Sequence, residues 1–79
     1  MTDVEYHAEL DARGLFCQEP VMMLHNRIND VAPGELLRVV ATDPSTTRDI
    51  PRFCQFLGHE LVRETECEGE FVYLIRRGG

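Results

Sequence analysis

Pro20-Val21-Met22-Met23-Leu24-His25-Asn26-Arg27-Ile28-Asn29-Asp30-Val31, then Pro33-Gly34, then Leu36-Leu37-Arg38-Val39-Val40-Ala41 is the stretch that decides the fold. In its first run Val21, Leu24, Ile28 and Val31 recur at the spacing of one helical face, which predicts a helix over Pro20 to Val31. Pro33-Gly34 stops that helix and turns the chain. Glu35 to Thr42 is dense in β-branched and aliphatic residues and predicts a central strand, buried over much of its length. Upstream, Tyr6 to Asp11 alternates apolar and polar residues and predicts a first strand, ended by Gly14. A β-α-β unit of this kind crosses over right-handed.

Downstream, Asp43-Pro44 reads as a helix start, with Asp43 as the cap and Pro44 in the first helical position. Ile50, Phe53, Cys54 and Leu57 share one helical face. Pro51 lacks an N–H, so the regular part of this helix is expected to begin near Ile50 or to bend there. Gly58 is the expected C-terminal cap. Two strands follow, His59 to Thr65 and Glu70 to Arg77, joined through Glu66-Cys67-Glu68-Gly69. The order β-α-β-α-β-β, in a single domain over residues 1–79, predicts an α/β two-layer sandwich. It consists of a four-stranded mixed sheet with two helices on one face.

With 28% charged and 43% hydrophobic residues, the composition is that of a folded domain. No apolar stretch is long enough to cross a bilayer. Met1 to Tyr6 is acidic without an apolar run, so no export signal and a cytoplasmic location are expected. The net charge of −6 disfavours a domain built to grip phosphate backbones. All eight basic residues are arginines, and they are scattered rather than gathered into a stripe.

Three cysteines, Cys17, Cys54 and Cys67, with no C-x-x-C spacing and no histidine close by in sequence, point away from both a disulfide framework and a zinc site. Cys17 lies where the turn ends and the helical pattern begins. Free N–H groups and the positive end of the helix dipole there favour a thiolate, the reactive form of the thiol. Gly14 frees the turn, and Pro20 suits the first helical turn. Free cysteines are also among the most buried residues, so spacing alone leaves a core role for Cys17 open. Cys54 falls on the apolar stripe and reads as core. Cys67, among Glu66, Glu68 and Glu70, sits where negative charge opposes thiolate formation. A Cys-His hydrolase is not supported, because His25 lies about two helical turns beyond Cys17. Glu19, Asp43 and Asp49 read as helix-start charges rather than an acid-base pair. Of Met22 and Met23, one is expected to pack inward and the other to offer an adaptable contact.

Leu10-Asp11-Ala12-Arg13-Gly14-Leu15-Phe16-Cys17-Gln18-Glu19-Pro20 resembles the signature L-D-x-x-G-x-x-C-P-x-P of the small sulfur-carrier proteins. The likeness continues through Pro20 to Met23, Asp43 to Pro51, Phe53-Cys54, Gly58 to Val62 and Tyr73 to Arg76, which is nearly the whole chain in one register. The resemblance implies the β-α-β-α-β-β sandwich. It also implies that Cys17 accepts persulfide sulfur from a pyridoxal-phosphate cysteine desulfurase and passes it to a downstream sulfur-relay complex, towards 2-thiouridine at the tRNA wobble position. Gly14, Gln18, Glu19 and Pro20 would support the site, and Met22, Met23, Arg27 and Asp43 would contact partners. No cofactor, metal, membrane or direct nucleic-acid contact is implied. The first proline of the signature is Gln18 here, which restores an N–H and loosens the turn. Alternatives are a non-catalytic regulatory module, or sulfur delivery to molybdenum-cofactor synthesis or sulfur oxidation.

Overall fold

The computed structural model describes residues 6–16 and 18–78. Strand β1 (Ala8–Ala12) leads to helix α1 (Glu19–Arg27), strand β2 (Leu36–Ala41), helix α2 (Thr46–Leu57), strand β3 (Glu60–Cys67) and strand β4 (Glu70–Arg76). This is the expected β-α-β-α-β-β order. The sheet order is β1-β2-β4-β3. β1 and β2 are parallel, with Ala8 opposite Leu37, and β4 is antiparallel to both β2 and β3. The expected central position of β2 holds.

Period-two alternation aims one side chain set of each strand at the helices. Leu10 and Ala12, Leu37, Val39 and Ala41, and Tyr73 and Ile75 meet Leu24, Ile28, Val31, Ile50, Phe53 and Cys54 in one core. Each large aliphatic or aromatic side chain so enclosed contributes about 1.5–3 kcal/mol. The buried Tyr73 phenol lies 2.8 Å from Thr46 Oγ1, which itself donates to the Asp43 carbonyl at 2.7 Å. A hydroxyl has one hydrogen, so Tyr73 donates to Thr46 and no polar atom of that pair is stranded.

The far face of the sheet is polar at its surface. Glu9 and Arg38, directly opposite each other on β1 and β2, form an ion pair, as do Arg76 and Glu60 at 2.8 Å. Val40 and Leu74, on the β2 and β4 strands of this sheet, are buried outside the main core cluster. The exposed ion pairs themselves add little stability.

Four details differ from the sequence expectation. The first helical run is α-helix only to Arg27 and tightens into one 3₁₀ turn over Ile28–Asp30. α2 begins at Thr46, after Ser45, and Asp43 prepares that start instead of capping it: its Oδ1 accepts the Ser45 N–H at 3.0 Å and its carbonyl accepts the Thr46 N–H. Pro51 neither starts nor interrupts the helix. Its ring fits helical φ, and the carbonyl that loses a partner belongs to Thr47, which is exposed and can be hydrated. Finally, β3 runs through Cys67, so the connection to β4 is only Glu68-Gly69, with Glu68 at φ 52° and Gly69 at φ 82°.

The end of the chain is strapped back on the fold. Arg77 donates its N–H to the Glu35 carbonyl at 3.0 Å, and the Gly78 N–H is held by His59 Nδ1 at 2.8 Å. A Cβ on Gly78 would collide with the Gly58 carbonyl oxygen, so the close approach requires glycine. Burial, aided by Arg77 and His25, pulls the His59 imidazole below its ordinary value near 6.5. A neutral Nδ1 accepts the Gly78 N–H; a protonated one cannot. The depressed value means the unfolded chain takes up the proton first, so this contribution is complete above the unfolded value and is lost as pH falls through the folded one. Urea midpoints are therefore expected to drop between about pH 7 and about pH 5, in the range where histidine titrates. The drop should be shallower in His59→Gln, whose amide oxygen still accepts the bond without titrating. Equal pH slopes for the two proteins would refute this.

Candidate functional site

The site is assembled by the turn that leaves β1. Asp11 Oδ1 accepts both the Arg13 N–H at 3.1 Å and Arg13 Nε at 2.9 Å, and Oδ2 accepts from Nη2 at 2.9 Å. These hydrogen bonds from Arg13 hold the Asp11 carboxyl well below the usual range, at about 2. Gly14 follows at φ +81°, the left-handed region, and its N–H donates to Thr42 Oγ1 at 2.9 Å. The turn is thus tied to the end of β2. Leu10 is buried beneath it and Leu15 packs against the core. The fixed letters of L-D-x-x-G therefore supply, in turn, a core anchor, a carboxylate that curls the chain, and a residue free to turn left.

Position 17 is bracketed by a reciprocal pair. Glu19 donates its N–H to the Phe16 carbonyl at 3.2 Å, and Phe16 returns its N–H to Glu19 Oε1 at 3.4 Å. Gln18 occupies the cap position of α1 with φ −85° and ψ −10°, its carbonyl accepting the Met22 N–H at 2.9 Å. Pro20 is buried in the first turn. Cys17 itself lies outside the described residues. Gly14, Gln18, Glu19 and Pro20, the expected supporting residues, are together around it in the chain.

Beside this helix start runs an open groove between α1 and α2, about 810 Å³ in volume. Gln18, Val21, Met22 and His25 line it from α1, and Arg48, Arg52, Phe53 and Phe56 from α2. Met22 and Phe56 are 61% and 87% exposed. Large apolar side chains left this open together are uncommon on a surface that faces only water. Phe53 forms the link inward, edge-on to His25 at 4.8 Å and stacked on His59 at 5.5 Å.

Of the expected partner contacts, Met22 and Asp43 line this groove, whereas Met23 and Arg27 do not. Both methionines are exposed, contrary to the expectation that one packs inward, because Pro20, Leu24 and Ile28 already fill the inward positions of the helix. The Arg27 guanidinium is occupied with the Glu9 carbonyl at 3.3 Å and Asp30 at 2.6 Å, fastening α1 to β1. Leu57, expected in the core, is 40% exposed at the groove rim. Phe56 and Arg52 are additions to the expected site. Phe56 is detectable in sequence as an aromatic residue off the apolar stripe of its helix; nothing in the sequence singles out Arg52.

The other two thiols are placed for different fates. Cys54 is 2% exposed, and burial pushes its thiol up to about 11. Cys67 is exposed at the end of β3, paired across from Glu70. Among the described residues no cluster of three or more His, Cys, Asp or Glu is arranged to hold a metal ion, and no helix is long and apolar enough to cross a membrane.

Comparison with known proteins agrees with this geometry. The family described as sulfurtransferase TusA matches residues 8–77. A sulfur carrier protein TusA of Pseudomonas syringae pv. syringae is 67% identical over 70 residues, covering 89% of this chain and 83% of that protein. The sulfur carrier protein TusA of Pseudomonas putida strain GB-1 is 60% identical over 77 residues, covering 98% and 96%. The crystal structure of a SirA-like protein from Desulfitobacterium hafniense shares the fold, with a TM-score of 0.79 over 92% of this chain and all of that one, at 16% identity. With a family match that spans almost the whole chain and relatives this similar along their own length, the chain belongs to the sulfurtransferase TusA family of sulfur carriers.

Proposed function

We propose that this protein carries sulfur as a persulfide on Cys17, loaded by a cysteine desulfurase and unloaded onto a downstream sulfur-relay complex that serves 2-thiouridine formation at the tRNA wobble position. The observation that carries the reading is the bracketed helix start: the Phe16–Glu19 pair and the Gly14 turn fix the chain on both sides of position 17, next to an exposed apolar groove. Loading is a thiol exchange. The Cys17 thiolate attacks the terminal sulfur of the donor's persulfide, the new S–S bond forms, and the donor cysteine leaves as thiolate. Unloading repeats the step in the other direction: the acceptor thiolate takes the terminal sulfur and Cys17 departs as thiolate. No oxidant or reductant is consumed.

The low pKa of a thiol at a helix start supports both steps, since Cys17 must be a good nucleophile when loaded and a good leaving group when unloaded. The groove supports docking of a much larger partner, with Met22 and Phe56 as contacts. The acidic surface is consistent with a carrier that hands sulfur to proteins and leaves tRNA to its acceptor, in the cytoplasm.

Incubation with an active cysteine desulfurase and cysteine, followed by intact-mass analysis, tests the reading. The wild type is expected to gain the mass of one sulfur atom, removable by a thiol reductant, and peptide mapping should locate it on Cys17. No gain on the wild type, or a gain mapped to Cys54 or Cys67, rejects it.

A further inference from the structure

The groove beside the proposed sulfur site holds one charge that has no partner among the described residues. Asp49 is paired with Arg48 at 3.2 Å, and Asp43 accepts the Ser45 N–H. Arg13, Arg38 and Arg76 each have a carboxylate, and Arg27 has Asp30. Arg77 donates to the Val31 carbonyl at 2.5 Å. Among the described residues, only Arg52 and Arg63 of the arginines make neither ion pair nor side-chain hydrogen bond. Arg63 is exposed on β3, outside the groove. Arg52 lines the groove itself, one helical turn before Phe56 and one after Arg48 on α2.

A chain of net charge −6 that satisfies its other groove charges and leaves this guanidinium open has a surface that selects its occupant. Any partner that covers Met22 and Phe56 also removes water from Arg52. Burying an unpaired cation is costly, so a purely apolar or basic occupant is disfavoured, whereas a carboxylate delivered to the guanidinium offsets the loss. Arginine, with its planar fork of donors, suits a carboxylate well.

We infer that Arg52 determines which partner segment fits this groove: one that brings an apolar side chain to Met22 and Phe56 and, one helical turn away, a carboxylate to Arg52. This deepens the proposed function, on which it rests, by stating the chemistry of the desulfurase surface that docks here. Arg52 acts in recognition and takes no part in the exchange of sulfur.

The test measures desulfurase affinity by isothermal titration, at low and moderate salt, for the wild type, Arg52→Glu, Arg52→Lys and Arg63→Glu, each checked for an unchanged thermal melt. Arg52→Glu is expected to weaken binding at least about tenfold, the scale of one lost charge contact in an interface. Arg52→Lys should stay within about threefold, and Arg63→Glu, the same charge change off the groove, within about twofold. At saturating desulfurase, Arg52→Glu should still gain one sulfur on Cys17. Unchanged or tighter binding of Arg52→Glu overturns the inference, and so does equal weakening by Arg63→Glu, which would mean that net charge alone is sensed. Those outcomes leave the carrier reading standing if sulfur still loads. A wild type that neither binds nor loads rejects both.

Discussion

Replacing Cys17 by serine is expected to abolish sulfur carriage completely, with no residual mass gain after desulfurase treatment and no function in cells. The prediction is strong because neither remaining thiol can take over. A Cys54 thiol held at about 11 has about one molecule in ten thousand as thiolate at neutral pH, by the tenfold change per unit of pKa. It is also 2% exposed, so a bulky donor could reach it only through local unfolding of α2. Cys67 is accessible, but it sits at the end of β3 opposite Glu70 and does not line the α1–α2 groove that presents Met22 and Phe56. Serine is close in size to cysteine and leaves the Phe16–Glu19 bracket intact, so the variant should fold as well as the wild type. Intact-mass measurement of Cys17→Ser beside Cys54→Ser and Cys67→Ser checks this. Normal loading of Cys17→Ser, or retained cellular function without loading, would sink the carrier reading; the latter would favour a regulatory module.

Leu24→Ala is expected to be the most damaging single truncation in α1. Leu24 is fully buried between the helix and the sheet, and large-to-small changes at such positions cost about 2–5 kcal/mol. A domain of this size holds a total stability on the order of 5–10 kcal/mol, so much of it would be lost. The melting temperature should fall on the order of 15 °C, given about 4–8 °C per kcal/mol for small domains. Met22→Ala, two residues earlier on the same helix, is the informative contrast: 61% exposed, it should change stability by less than about 0.5 kcal/mol while weakening desulfurase binding. Circular-dichroism melts of the two variants separate packing from docking. Equal melts would mean that α1 is not anchored as described.

The contrast between Leu24 and Met22 also shows where sequence reasoning succeeds. Inward positions are legible because a core leaves a periodic trace: Leu24, Ile28, Val39, Ile50 and Phe53 all follow the spacing of their elements. The outer side of a helix leaves no such trace. Met22, Met23 and Phe56 are apolar residues whose exposure depends on what fills the neighbouring inward positions, which only the packed fold decides. Arg52 is illegible for a related reason. Its significance lies in the partners that every other described arginine except Arg63 finds and it does not, and several of those pairings join elements far apart in sequence, as with Arg38 and Glu9 or Arg76 and Glu60.

Boundaries are misleading in sequence where two local rules compete. Asp43-Pro44 carries every mark of a cap, yet the carboxylate curls the chain one turn early and the helix starts at Thr46, whose hydroxyl is needed by Tyr73. Pro51 suggests a break because its missing N–H is costly in an interior turn. The freed carbonyl belongs to exposed Thr47, where water can replace the lost donor, and continuing the helix keeps Ile50 and Phe53 in the core. The Cys17 signature is legible as a motif, and the bonds made by Asp11, Gly14 and Glu19 give its letters a physical reason.

β3 has a consequence for the life of the molecule in a crowded cell. It pairs with β4 on one side only, and an unpaired strand margin is a template on which other chains can add. Here that margin carries exposed Glu60, Glu64 and Glu66, with an irregularity between Leu61 and Arg63 that breaks the straight row of N–H and C=O groups. Two copies laid margin to margin would bring two strands of net negative charge, three glutamates to one arginine on each, together on a bent seam. The same acidic strand that contributes little to the core thus disfavours the pairing of copies along this margin.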